Sequence, residues 1–550
     1  MLAFAVFDDK GPHPAYPLRQ AHIVGKDDVV IPGIVELRED TPGTIACRKA
    51  RDEAACLAVL YDLTTTKVTP TPAIADLVKG LPTGNIILQT CLLPDRDEPY
   101  LLELELARHR IMLLLNKLEE WSLSDLAPEH PVMRLLDESR ERFTAALVAH
   151  PPGTAGYTAE QARLARESLL LAMEAGERLA RIAGERSLLK RLTPDDAPED
   201  DDAEPATPTP AAARAPRIGC AVHIEQFSEP LQKAATAFDF LTVPMRWKEI
   251  EKDEGVYSFT STDRWIEWAV RFGKKPVVGG PVLDFSPRSA PGWLHVWEHD
   301  YDTLREFAFE HVKRVVTRYR RTVARWTAIS GVNVNDGFSL SMDQMVDLTR
   351  IAVLATRKLQ PSARVVVEVS EPWGESGTET SRTLSPLLYA RLIIEAGIGV
   401  DAIGLRIQMG DTSQGRGTRD LMQLSSLIDT YSLLERPLHI TALGAPAAPI
   451  AAASPEREPG WWCSDWSPEH QGEWASSALR VLLGKPRVRS ICWHSLFDSS
   501  EMPGAGLITN DARPRPAFRR LAEAAAALRK GETPPDFVER EAPVAAASAR

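Results

Sequence analysis

The sequence predicts an α/β protein ending in a (β/α)8 (TIM) barrel, preceded by a small β-rich domain and a helical segment. Three observations carry this. Between residues 217 and 530, apolar strand-like runs alternate with helical segments eight times. The runs are apolar almost throughout rather than at every second residue, as suits strands buried on both faces of a parallel sheet. A span of this length falls inside the roughly 200–400 residues over which such barrels close. An open doubly wound sheet is the structural alternative, but no GxGxxG phosphate turn supports a nucleotide site.

Taken in order, residues 1–95 read as a β-rich, sandwich-like domain. Short apolar segments at 2–7, 29–37, 44–48, 56–63 and 85–91 are separated by Gly, Pro and Asp clusters. Tyr16 and Tyr61 are its only large polar aromatics, and no aromatic platform for a sugar stands out. Residues 96–192 turn helical. Leu101, Leu104, Ile111, Leu115 and Leu118 recur at helical spacing, 131–149 gives a second helix, and 159–192 a third with Leu164, Leu171, Leu179, Ile182 and Leu189 on one stripe. A helical bundle fits, and so does a surface that makes a homo-oligomer or takes a protein partner through helices 100–192. Residues 193–216 form an acidic, then Pro/Ala-rich, linker too poor in apolar side chains to build a core. The barrel is expected over 217–530, with strands at 218–224, 238–244, 276–285, 324–332, 364–370, 400–409, 438–444 and 490–498. Helices are expected at 261–272, 303–319, 342–358, 387–396 and 473–483, and a disordered tail at 531–550.

Composition narrows the function classes. The chain is 44% hydrophobic and 25% charged, which is globular, and its net charge of −12 lacks the basic stripe a nucleic-acid binder needs. Six cysteines are scattered without CxxC or metal-type spacing, so the expectation is reduced thiols, no metal and no other cofactor. The N-terminal apolar run ends at Phe7 with no basic lead and no small-residue cleavage site. Nothing approaches ~18 uninterrupted apolar residues. A cytoplasmic protein without a membrane span is the expectation.

Barrel chemistry sits at the carboxyl ends of the strands, and there a family resemblance emerges. The segments MRWKEIEKDEGVYSFTSTDRWIEWA (245–269), VVGGPVLDFSPRSAPGWL (277–294), TRYRRTVARW (317–326), GVDAIGLRIQM (399–409), LHITALG (438–444), CWHSLFD (492–498) and LITNDARPRPAFRRL (507–521) fall in one order. In that order they resemble glycoside hydrolase family 10, the β-1,4-xylanases, over about 216–530.

The resemblance implies a retaining glycosidase site, which needs two carboxyl groups about 5–5.5 Å apart. The family places its acid/base in a Trp-Asp-Val-Val-Asn-Glu motif on strand four; here Trp326 is kept, but the asparagine position is Ser330 and the acid position Gly331. Its nucleophile lies in Ile-Thr-Glu-Leu-Asp on strand seven; here the glutamate position is Ala442. Gly280, Asp284, Phe285 and Gln408 stand where the family has a histidine, a Trp-His pair and another histidine, and Thr242 and Val243 replace a Glu-Asn pair. Neither glycine nor alanine holds a proton, and acid–base help alone is worth roughly 10²–10⁴-fold.

Three readings follow. The first is a catalytically inactive, xylanase-like barrel that binds an oligosaccharide, a polysaccharide or a protein. The second is an active hydrolase with relocated carboxylates drawn from Asp284, Asp336, Glu368, Glu371 and Asp498. The third is a scaffold that binds no sugar. Twelve of thirteen tryptophans fall in the barrel part, and sugar faces pack on such rings. The candidate ligand contacts are Trp493, Trp293, Trp373, Asp284, Arg406, Gln408 and Glu368. His494 reads as structural.

Overall fold

The computed structural model describes residues 1–26, 29–78, 81, 84–149, 156–193, 215–286, 289–375, 383–413, 415–499 and 502–537. Ten short strands open the chain: β1 (Leu2–Ala5), β2 (Phe7–Asp8), β3 (Gly11–Pro12), β4 (His22–Val24), β5 (Val30–Ile31), β6 (Gly33–Leu37), β7 (Thr44–Lys49), β8 (Cys56–Asp62), β9 (Asn85–Gln89) and β10 (Tyr100–Leu101). Eight of them build two four-stranded sheets, ordered β10-β1-β7-β6 and β5-β4-β8-β9. Leu2, Phe4 and Ile45 of one sheet share an apolar cluster with Ile23, Leu57 and Leu88 of the other. A common core between facing sheets is the packing of a sandwich.

Three helices follow: α1 (Leu102–Glu120), α2 (Pro131–Val148) and α3 (Ala159–Leu192). α3 starts at a capping box in which Thr158 and Gln161 exchange side-chain and backbone bonds, satisfying donors that a helix start otherwise leaves open. Its Leu171 and Leu179 are fully buried and cluster with Leu114, Leu118 and Leu135 of α1 and α2. The middle of the stripe is thus covered from within the chain, while Leu189 near its end stays exposed.

The barrel elements are β11 (Arg217–Ala221), α4 (Glu229–Ala235), β12 (Phe240–Val243), α5 (Trp247–Ile250), β13 (Glu251–Asp253), β14 (Val256–Tyr257), α6 (Thr260–Trp268), β15 (Val277–Gly279), β16 (Leu283–Asp284), α7 (Tyr301–Tyr319), β17 (Val323–Ser330), α8 (Met342–Leu359), β18 (Arg364–Val369), α9 (Pro386–Glu395), β19 (Ala402–Gln408), α10 (Leu421–Ser432), β20 (Leu438–Gly444), α11 (Pro468–Gly484), β21 (Val488–Trp493) and α12 (Pro516–Lys530). Parallel pairing runs β11-β12-β15-β17-β18-β19-β20-β21 and returns to β11, which closes the ring. The expected fold class holds.

Several details differ from expectation. The third run breaks into β15 and β16 around Pro281, which has no N–H to give the ladder. Helices α4, α10 and α12 complete the outer ring beyond the five read from the sequence. The linker expectation falls on 194–214, outside the described residues, as does that for 538–550. Residues 531–537, however, are ordered: Phe537 is 2% exposed and lies under the Arg480 guanidinium at 5.5 Å. The structured part therefore extends past 530.

The N-terminal half is seated on the barrel. Asn85 and Trp461 exchange backbone bonds of 3.0 and 2.8 Å, and Ile87 N–H donates to Thr418 O at 2.9 Å. Thr418 and Trp461 belong to the loops after β19 and β20, so the sandwich rests at the carboxyl rim, where barrels carry their sites. Among the described residues no helix is long and apolar enough to cross a membrane.

Candidate functional site

Inward side chains of the barrel strands leave a small, partly open cavity of about 60 Å³. That is room for a few waters or a small polar group, since one water needs roughly 10–15 Å³ on this measure. Barrel interiors are ordinarily filled by branched apolar residues. Here the lining includes Thr242, Thr327, Glu368, Arg406, Gln408 and His494.

At the carboxyl end of β18, Glu368 is 2% exposed. Its Oε1 accepts from Arg406 Nε at 2.9 Å, from Arg406 Nη2 at 2.9 Å and from Ser330 Oγ at 2.5 Å. Ser330 also lies 3.1 Å from the Ser370 hydroxyl, and Asn333 Nδ2 donates to Ser370 O at 2.8 Å. This network holds strands β17, β18 and β19 together and engages the carboxylate as a structural acceptor. Asp284 sits opposite Ser330 in the ladder and accepts from Ser286 N–H at 3.0 Å. Asp498 is held by both terminal nitrogens of Arg515, at 2.7 and 2.8 Å.

The two seats that the resemblance reserves for carboxylates have their own geometry. Gly331 follows β17 at φ +73°, a conformation side chains rarely adopt, and a Cβ added there would lie 2.9 Å from Asp284 Oδ1. Ala442 pairs with Arg406 across β20 and β19 and lines the cavity with a methyl group. Gln408 also lines the cavity, is 3% exposed, and has neither Oε1 nor Nε2 bonded to any described residue. A buried amide left unsatisfied costs about 1–3 kcal/mol.

The tryptophan expectations need correction. Trp493 is fully buried, donates to Ala505 O at 2.9 Å and meets Trp474 edge-on, so its ring is core and offers no open face. Trp293 donates to Glu251 O at 3.2 Å and packs between Trp247 and Phe307. Trp373 is capped by the Arg419 guanidinium at 4.4 Å. None of the three lines the cavity, whereas Asp284, Glu368, Arg406 and Gln408 all do.

Sequence reading missed the floor of the cavity. Arg325 on β17, His439 on β20 and Ser490 on β21 all line it. Arg325 Nη1 is 3.3 Å from His439 Nδ1, and Ser490 Oγ is 2.7 Å from the same nitrogen. Burial, and then the Arg325 and Arg489 charges, push His439 down to about 3. The available signal was a lone arginine and a lone histidine inside otherwise apolar strands. Among the described residues no group of three or more His, Cys, Asp or Glu side chains is placed to hold a metal.

Comparison with known proteins agrees with this architecture. Residues 209–444 match the family described as Glycosyl hydrolase family 10. Endo-1,4-beta-xylanase 3 of Hypocrea jecorina is 26% identical over 208 residues, covering 37% of this chain and 56% of that protein. The chain thus matches just over half the length of that curated relative. Among solved structures, native xylanase 10B from Thermotoga maritima is 18% identical, with a TM-score of 0.43 and coverage of 58% of this chain and 96% of that one. Xylanase 10B from Thermotoga petrophila RKU-1 in complex with xylobiose is 17% identical, with a TM-score of 0.42 and coverage of 58% and 98%. The matched segment runs through the first seven of the eight strands of the (β/α)8 barrel.

Proposed function

We propose that this chain carries a xylanase-like barrel that no longer hydrolyses glycosidic bonds and acts by holding a carbohydrate at the barrel mouth. The observation that carries the reading is the pair Gly331 and Ala442, which leaves both catalytic seats without a carboxyl group. The two carboxylates that line the cavity, Glu368 and Asp284, are engaged by Arg406, Ser330 and the Ser286 N–H. A retaining mechanism needs one free acid to protonate the leaving oxygen and one free carboxylate to attack.

Binding is favoured over an empty scaffold by Gln408. Its unbonded amide offers one acceptor and two donors to the cavity, a set that matches sugar hydroxyls. The small cavity admits the polar end of a glycan rather than a whole ring buried on the axis.

The test is direct. Full-length protein incubated with xylan and xylo-oligosaccharides should release no reducing ends above buffer. Calorimetry with the same oligosaccharides should give saturable binding that Gln408→Leu weakens at least tenfold. Turnover abolished by Glu368→Gln or Asp284→Asn would overturn the reading in favour of relocated catalysis. Absence of binding to any glycan would leave the barrel as a scaffold.

A further inference from the structure

The floor of the cavity poses a charge problem. Arg325 points into the barrel from β17 with the Phe240 ring 4.8 Å below its guanidinium carbon. Its one hydrogen-bonding partner among the described residues is His439, a neutral imidazole whose Nδ1 also meets Ser490. No described carboxylate lies within ion-pair distance of it. The two acids that line the same cavity are committed at the other end, Glu368 to Arg406 and Asp284 to the Ser286 N–H. Arg489, next to Ser490 on β21, adds further positive charge near His439.

A guanidinium only partly open to solvent and without a counter-charge is costly, and proteins ordinarily pair it. Burial depresses Arg325 to about 10, which expresses the same cost. A neutral aromatic face offsets only part of it.

We propose that the floor of this barrel is an anion site, in which Arg325 and Ser490 hold a small oxyanion no larger than phosphate. Arg325 supplies a planar set of donors, Ser490 turns its hydroxyl to the anion, and the cavity of about 60 Å³ sets the size limit. The site shares its cavity with the sugar reading but rests on other residues, since it uses neither Gln408 nor the two catalytic seats.

The experiment uses the full chain dialysed into a buffer of bulky zwitterions. Sodium phosphate and sodium acetate are titrated separately at matched ionic strength, with ³¹P line width, calorimetry and thermal melting as readouts. Saturable phosphate binding with a rise in melting temperature is expected, weakened at least tenfold in Arg325→Met. Because that variant removes an uncompensated, partly buried charge, it should melt no lower than the parent in the anion-free buffer. Arg325→Lys, which keeps the charge, should bind more weakly than the parent and more tightly than Arg325→Met. Acetate binding at the same site would extend it to carboxylates; binding of phosphate alone would restrict it to tetrahedral oxyanions. No saturable binding of either anion, or equal affinity in folded Arg325→Met, would overturn the proposal.

Discussion

At the scale of single residues, Gly331 bears on whether the proposed loss of catalysis is one substitution away from repair. Its φ of +73° and the 2.9 Å approach to Asp284 Oδ1 both penalise any side chain, and strain of that kind costs about 1–3 kcal/mol. A glutamate would add a second negative charge beside Asp284. Gly331→Glu is therefore expected to lower the melting temperature by several degrees and to release no reducing sugar from xylan. A variant as stable as the parent, with new turnover, would show that the strand end can re-form. The assignment of the two seats comes from the sequence alone, where Trp326 sets the register of one and Ile440 and Thr441 that of the other. Trp493 was misread because chain position does not tell which way a strand-end ring points, and here it points among Trp474 and Ala505. Arg325 and His439 were overlooked for the converse reason. Each is a single polar residue in an apolar run, and only closure of the sheet brings them together.

At the scale of elements, the helical segment is fastened by charges as well as by its apolar stripe. Glu103 in the first turn of α1 is 1% exposed, and Arg166 of α3 reaches it at 3.3 Å while also donating to Phe7 O at 3.0 Å. Burial outweighs that cation and pushes Glu103 up from 4.5 to about 7. The consequence has a definite sign. Below about 4.5 the group is protonated whether folded or unfolded and costs nothing. Above about 7 it is ionised in both states, and the folded protein bears the whole penalty. Stability from this group therefore falls as pH rises from about 4.5 through 7, by an amount on the order of 3 kcal/mol. Urea unfolding of Glu103→Gln across pH 4–8 should give a flatter profile than the parent, with the largest gap above pH 7. Identical profiles would mean that the carboxylate is solvated. The periodic leucines made the existence and span of α1, α2 and α3 readable. What they touch was not, because a stripe looks the same whether it meets a neighbour in the chain or a second copy.

At the scale of the whole molecule, the linker suggests two independent halves, while the contacts describe one fastened body. Glu177 of α3 accepts the Leu421 N–H at the start of α10, at 2.8 Å, and the Trp462 indole at 3.2 Å. Arg110 of α1 pairs with Asp420 at 2.8 Å, both side chains almost fully buried. Lys117 meets Asp429 at 2.7 Å, and Arg191 donates to Val488 O at 2.9 Å at the foot of the barrel. α3 and α11 also cross backbone to backbone: a Cβ on Gly184 would fall 2.2 Å from Arg480 O, and one on Gly484 would fall 2.4 Å from Gly184 O. Removing residues 1–193 would strip these partners at once, leaving Asp420 without its buried cation and baring Met422 and Trp462. Breaking a buried pair by taking one member away costs about 3–5 kcal/mol, a large share of the roughly 5–15 kcal/mol that holds a folded domain. A 215–537 fragment is accordingly expected to aggregate on size exclusion and to be recovered when 1–193 is co-expressed in trans. Gly184→Leu should reproduce part of that defect in the intact chain, because the intruding atoms meet backbone that cannot step aside. A fragment that runs as a monomer and melts within a few degrees of the full chain would show that the seam is only a resting contact. In that case the anchoring of the sandwich over the carboxyl rim would rest on its own bonds there, among them Asn85–Trp461, Ile87–Thr418 and the Arg19–Glu458 ion pair.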